Sequence, residues 1–170
     1  KATTAGTIDD ANDTVLASFG REITVGGRAV GSIIGFRSQV YGYNCVASGS
    51  ESHAEGSYAE AIGDVSHAEG TSVTSGGQSS HAEGYHTAAT GDYSHAGGYS
   101  TVAGYASQTV IGSWNENKST TLFEVGNGAN GGARHNAFEV YNDGAISCDD
   151  GASKLKFSKR LNKVQIHYAT

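Results

Sequence analysis

Four histidines stand fourteen residues apart, at His53, His67, His81 and His95, and the first three are each followed two residues later by a glutamate, Glu55, Glu69 and Glu83. Imidazole and carboxylate are the groups from which metal sites and acid–base pairs are built. On extended backbone, residues two apart share a face, so each His lies beside its own Glu. If successive repeats stack, the imidazoles form a ladder with rungs about 4.8 Å apart. Zinc wants ligands that converge on one point about 2.0–2.1 Å away, and a straight ladder does not converge. No metal ligand set and no cofactor are therefore expected within one chain; three copies of one histidine around a threefold axis could meet on an ion. Catalysis by paired carboxylates fits poorly, because nothing distinguishes one rung from the next, and no catalytic residue is expected. Stacked glutamates repel one another unless each is paired. The expectation is His–Glu pairing, within a chain or between chains, with each His a structural donor and acceptor.

These residues ride on a stricter pattern. Glycine returns every seven residues at Gly35, Gly42, Gly49, Gly56, Gly63, Gly70, Gly77, Gly84, Gly91 and Gly98; Tyr105 takes the next slot, and Gly112 follows. Ser52-His53-Ala54-Glu55-Gly56 recurs as Ser66 to Gly70 and Ser80 to Gly84, and in altered form as Ser94 to Gly98. Self-similarity at a fixed period marks a stacked array. Two residues before the glycines stand Ala47, Ala54, Ala61, Ala68, Ser75, Ala82, Ala89, Ala96 and Ala103, with Val40 and Val110 at the ends. Four before stand Cys45, Ser52, Ala59, Ser66, Val73, Ser80, Thr87, Ser94 and Thr101. These positions share a face, so the predicted core is thin, and His53, Glu55, Glu60, Ile62, Val102 and Thr109 point outward. Each seven-residue unit reads as a strand of about four residues closed by a glycine-led corner, the glycine supplying positive φ. Two units make a coil of fourteen, and the period is expected to end after Gly112. A flexible linker would have no reason to hold Ala and Gly in register. Cys45 falls in an inward slot, which predicts a buried, inert thiol.

The Ser-His-Ala-Glu-Gly units, with Thr87-Ala88-Ala89-Thr90-Gly91 and Thr101-Val102-Ala103-Gly104 between them, resemble the YadA-like head repeats of trimeric autotransporter adhesins. They are most similar to the version found in phage tail-fibre and neck-appendage proteins. The resemblance covers about residues 30–115. Leu122-Phe123-Glu124-Val125-Gly126-Asn127-Gly128, then Asn136-Ala137-Phe138-Glu139-Val140 and Asp143-Gly144, resemble the segment that follows such repeats in phage proteins. What the resemblance implies is a left-handed parallel β-roll, three chains side by side, and a role in surface attachment.

The rest of the chain sets limits. Of its 170 residues 25 are glycine, about twice the usual share of about 7%. The net charge of −6 and the lack of a basic cluster argue against nucleic acid as a partner. No apolar run is long enough to insert in a membrane as a helix, no signal peptide is visible, and a start at Lys1 suggests a fragment or processed product. Cys45 and Cys148 are too few for a disulfide framework. Residues 1–30 read as a connector and cap, with a short helix over Asp10 to Phe19 and a strand over Arg21 to Val25 covering the first coil. Residues 31–115 form the roll, with Trp114 at its end. Residues 116–170 form a small hairpin region. Its strands are predicted over Thr121 to Val125, Ala137 to Tyr141, Ala145 to Cys148 (after a tight turn at Asn142-Asp143-Gly144), Lys154 to Ser158 and Val164 to Tyr168. Lys154, Lys156, Lys159, Arg160 and Lys163 read as solvated edge-strand charges that block edge pairing. Asp149-Asp150-Gly151 is too short to claim calcium.

The expected protein is an all-β, homotrimeric roll without enzymatic activity: an attachment module of a phage tail fibre or other virion appendage, binding a host-surface glycan or protein. Its rivals are the head of a bacterial surface adhesin and the retained product of an autoproteolytic fibre protein. The trimer follows also from the thin core, since little apolar area at about 25 cal/mol per Å² leaves one roll marginal. A surface that meets copies of itself must solve the same packing problem at every coil and should repeat. That places His53, Glu55, His67, Glu69, His81, Glu83 and His95 at the trimer interface. Against it, Val46, Ile62 and Val102 on the varied half would suit a buried contact.

Overall fold

A computed structural model describes residues 22–29, 31, 33, 35–149, 153–158 and 163–168; the helix expected over residues 10–19 lies outside them. Among the described residues there are sixteen strands and no helix. The first is β1 (Glu22–Arg28), followed by β2 (Ser38–Ala47). Five-residue strands then alternate with two-residue ones: β3 (His53–Ser57), β4 (Glu60–Ala61), β5 (His67–Thr71), β6 (Thr74–Ser75), β7 (His81–Tyr85), β8 (Ala88–Ala89), β9 (His95–Tyr99), β10 (Val102–Ala103) and β11 (Thr109–Ser113). All pair in parallel with the strand one coil on, so that His53 pairs with His67 and His67 with His81. The product is a β-solenoid of about six turns with about fourteen residues per turn. One wall is β2-β3-β5-β7-β9-β11 and the other β2-β4-β6-β8-β10. The strand expected to cover the first coil is β1, which pairs in parallel with β2 and sets Gly26 beside Gly42.

The two halves of a coil are unequal, although the sequence suggests equal strands. In the short half the ladder stops at the glycine: the N–H groups of Ile62 and Gly63 both donate to the Ser75 carbonyl, at 2.8 and 3.2 Å. One acceptor shared by two donors ends the alternation that a strand requires.

Inside, the small residues fill both rows. Ala47, Ala54, Ala61, Ala68, Ala82, Ala89, Ala96 and Ala103 have no exposed surface, and neither do Cys45, Ala59, Val73 and Ser75. Ser52, Ser80 and Ser94 donate from Oγ to the carbonyls of Gly49, Gly77 and Gly91, at 2.6–2.7 Å, which satisfies hydroxyls no water can reach.

The glycines meet the expected role in part: Gly42, Gly56, Gly70, Gly84, Gly98 and Gly112 have φ between 99° and 130°, whereas Gly35, Gly49, Gly63, Gly77 and Gly91 have no positive φ. A second set of positive-φ residues stands two places after each slot, from Arg37 and Asn44 through Glu51, Tyr58 and Val65 to Ser107 and Trp114, with φ between 44° and 59° at the corners. Their N–H groups reach down one coil and one residue: Tyr58 N to Tyr43 O at 2.9 Å, Val65 N to Ser50 O at 2.7 Å, Ser79 N to Asp64 O at 2.8 Å. Glycine is required in both kinds of slot because backbones stack. A Cβ on Gly49 would lie 1.9 Å from the carbonyl oxygen of Gly63, and one on Gly70 2.1 Å from that of Gly84. This also explains Tyr105. A Cβ in any slot collides with the coil that follows, and no short strand follows β10.

The parallel ladder does not stop at Gly112, contrary to the expected end of the period. The next strand, β12 (Thr121–Asn127), pairs in parallel with β11 and sets Gly126 on Gly112. From there β13 (Asn136–Tyr141), β14 (Ile146–Asp149), β15 (Ser153–Ser158) and β16 (Lys163–Tyr168) each pair antiparallel with the strand before. The side chains of Lys154, Lys156, Lys159, Arg160 and Lys163 lie outside the described residues.

Candidate functional site

The five-residue wall carries the histidine ladder on its outer side. Parallel pairing in strict register puts each imidazole on the next, with ring centroids 4.7, 4.8 and 5.0 Å apart and ring planes within 13° of parallel. Tyr41 closes the lower end edge-on, 5.5 Å from His53. The rings are half-buried, and every Nε2 atom in the ladder is hidden from water with no hydrogen-bond partner. Burial pulls the His53 and His81 imidazoles below the ordinary histidine range, and the neighbouring His67 pushes the same way against the pull of the glutamates. For those two rings the shift favours the neutral form, which can stack without mutual repulsion.

The glutamates are distributed unevenly along it. Glu55 Oε2 lies 3.3 Å from His53 Nε2 on the same strand, and Glu83 Oε1 lies 3.4 Å from His95 Nε2 on the next. Both are within ion-pair distance, yet the ring N–H directions miss the carboxylates, so neither contact is a hydrogen bond. Glu83 leans forward because the fourth repeat has Gly97 in the glutamate slot; a Cβ there would meet Glu83 Oε1 at 3.1 Å. The end histidines thus each take a carboxylate. In the middle, His67, Glu69 and His81 place one ligand atom each within 4.8 Å of one another, and Glu69 is exposed. Ring-to-ring spacing alone gives no convergent set; a glutamate oxygen near two successive imidazoles supplies the third ligand atom. Ala54, Ala68, Ala82 and Ala96, on the same strands, point inward to the core.

A second polar site, which sequence reasoning missed, closes the roll. Glu124 and Glu139 have no exposed surface. Glu124 accepts from Thr121 Oγ1 at 2.5 Å, Asn115 Nδ2 at 2.6 Å, Gln108 Nε2 at 3.1 Å and the Lys118 N–H at 3.1 Å. Burial nonetheless raises its carboxyl above the usual range. Glu139 accepts from Lys118 Nζ at 2.5 Å, Ser147 Oγ at 2.8 Å, Asn136 Nδ2 at 3.0 Å and the Tyr141 hydroxyl. Burial works to raise this carboxyl too, but those bonds, led by Lys118, hold it far below the usual range. Lys118 also reaches Glu116, at 2.6 Å. Both carboxylates are hydrogen-bonded on all sides, which is the arrangement of a plug.

The legible signal for the plug is arithmetic. In the short wall each N–H donates to the carbonyl thirteen residues on, as Glu60 to Val73 and Ala88 to Thr101. At the last coil the same offset leads to side chains: Val102 N donates to Asn115 Oδ1 at 2.7 Å and Gly104 N to Asn117 Oδ1 at 3.2 Å. Asparagine amides stand in for a missing coil and cover the edge. Beside them Tyr85 and Tyr99 stack at 5.4 Å, and Trp114 meets Tyr99 edge-on at 5.5 Å. Arg134 lies over Trp114, 5.1 Å from the ring centroid, tied to the carbonyls of Ser100 and Asn115.

No protein-family model, no curated protein and no solved structure matches this chain.

Proposed function

We propose that the chain is a non-enzymatic attachment module: a homotrimeric, left-handed β-roll from a phage tail fibre or other virion appendage that binds a glycan or protein on a host cell. The observation that carries this reading is the outer wall, where the same His and Glu recur on coil after coil in register. A surface repeated at every rung is suited to meeting copies of itself, so three chains associate through His53, His67, His81 and His95 with Glu55, Glu69 and Glu83. The resemblance of the Ser-His-Ala-Glu-Gly units to phage and adhesin head repeats supports the same assembly. A core made of alanine, serine and threonine adds to the case, because it buries little apolar area per chain. The surface left for a receptor is the varied wall with the corners that flank it, where Ile62, Tyr58, Val65 and Tyr93 are about half exposed. Exposed aromatics with one polar end are well suited to contact with sugars and proteins.

Light scattering tests the assembly: the expected mass is three times the 17.4 kDa chain, and a folded monomer at micromolar concentration would sink the proposal. Trimer stability of His67→Ala beside Ile62→Ser then assigns the face. Dissociation by the isoleucine change with a silent histidine change would place the varied wall at the interface instead.

A further inference from the structure

We propose that the middle of the ladder is a divalent transition-metal site, with His67, Glu69 and His81 as ligands and zinc as the ion whose chemistry fits best. Two imidazole nitrogens and one carboxylate are a recognised zinc donor set, with the fourth tetrahedral position left to water. Three independent features of the structure converge on these residues. Their ligand atoms lie within 4.8 Å of one another. The Nε2 atoms of His67 and His81 are buried without a hydrogen-bond partner, a costly state that a metal bond would relieve. Glu69, alone among the three glutamates of the ladder, forms no ion pair with a histidine, because Glu55 and Glu83 turn to the ladder's two ends.

Tetrahedral zinc with bonds of about 2.1 Å needs its ligand atoms about 3.4 Å apart. Closing from 4.8 Å takes a turn of each imidazole about its Cβ–Cγ bond, and the exposed Glu69 side chain is free to follow. No Lys or Arg stands on this wall between Arg37 and Lys118 to compete for the carboxylates or repel the ion. All three protein ligands come from one chain. These residues lie on the wall proposed for the trimer contact, but the ligand set is complete within one chain, so absent zinc binding would leave the light-scattering test of the trimer unaffected. The unaltered repeat at His53 and the altered one at Gly97 supply the asymmetry that singles out the central pair.

The test uses the full, untagged chain stripped with EDTA and titrated with zinc chloride by calorimetry, then with cobalt(II) followed by absorption. The expected result is saturation at one ion per chain and the visible bands of tetrahedral cobalt. Glu69→Gln should weaken zinc binding at least about tenfold, and His67→Asn with His81→Asn should abolish it. His95→Asn should change it less than about twofold. Glu69 is exposed, so its variant keeps the test valid should the double histidine variant fail to fold. No saturable binding up to millimolar zinc would overturn the proposal. So would one ion per three chains, which would put the metal on a shared axis, or unchanged binding by Glu69→Gln.

Discussion

The roll and the plug that ends it solve one problem in opposite ways. In the roll the inward slots hold Ala, Ser, Thr, Val or Cys, and each backbone group finds its partner by translation to the next coil. At the end the same slots hold Gln108 and Glu124, both fully buried, Glu124 paired with Val110 where a small residue would continue the series. With no coil above, the backbone of Val102 and Gly104 is satisfied by Asn115 and Asn117 side chains, and Asn136 bonds both the N–H and the carbonyl of Glu116 at 2.9 Å. A repeat can be satisfied by backbone alone as long as it repeats. Where it stops, side chains must take over, and buried charge comes with them.

The comparison can be broken most sharply at a stacked glycine. Gly70→Ala adds a Cβ 2.1 Å from the Gly84 carbonyl oxygen, at φ +130°. Neither coil can shift without shifting its neighbours, so the cost should be at least about 4 kcal/mol. Gly144→Ala, with φ +80° and nothing near the new methyl, should cost only about 1–2 kcal/mol. Urea midpoints of the two variants check this. Equal losses would mean that stacking does not set the requirement for glycine.

In the plug the vulnerable group is Lys118. Lys118→Ala leaves the Glu139 carboxylate buried without its cation. The expected loss is about 3 kcal/mol, at the low end for a buried pair, because 30% of the Lys118 side chain is in water. The pH dependence has a definite sign. Glu139 is held below its unfolded value, so its contribution is fully present above about pH 4.5 and is lost as pH falls towards the folded value. The raised Glu124 carboxyl works in the other direction. Lys118→Ala removes the strongest of the bonds that lower Glu139, so its stability should fall less than wild type between pH 4.5 and 2. Parallel acid profiles for the two proteins would separate Lys118 from Glu139.

How much of this the sequence makes legible follows the same division. The seven-residue glycine period and the small residues two and four before it place Ala68 or Ser80 inside without any structure, because translation turns period into position. The strands after Gly112 can be found from their alternation and from the Asn142-Asp143-Gly144 turn. The plug cannot be read so directly. Nothing in a glutamate reports that it will be buried unless the count of fourteen is carried past Gly112 to Gly126, which puts Glu124 in an inward slot. At the candidate metal site, the spacing of His67 and His81 is plain, but the tilt of Glu83 over Gly97 that leaves Glu69 between them is a side-chain choice that no period encodes. The corner residues teach the same lesson in reverse. Glycine is the natural candidate for positive φ and supplies it at every second slot from Gly42 to Gly112, yet the corners with φ of 44–59° fall to non-glycine residues two places on.

Those non-glycine corners lead to the smallest effect, and it is stabilising. Val65 sits at a corner with φ 58°, a conformation its branched side chain opposes, and it is 53% exposed. Its N–H bond to the Ser50 carbonyl holds it there. Asparagine adopts this conformation with little strain, and Asn44 already occupies an equivalent corner with φ 54°. Val65→Asn should therefore keep the hydrogen bond, remove most of a penalty of about 1–2 kcal/mol, and raise stability by about 1 kcal/mol. The same substitution at Val73, buried between two corners, should destabilise strongly by placing an amide in the apolar core. Thermal melts of the two variants separate the readings: a loss at Val65 would mean that its exposed methyls make a contact worth more than the strain, and that this corner is covered by another chain.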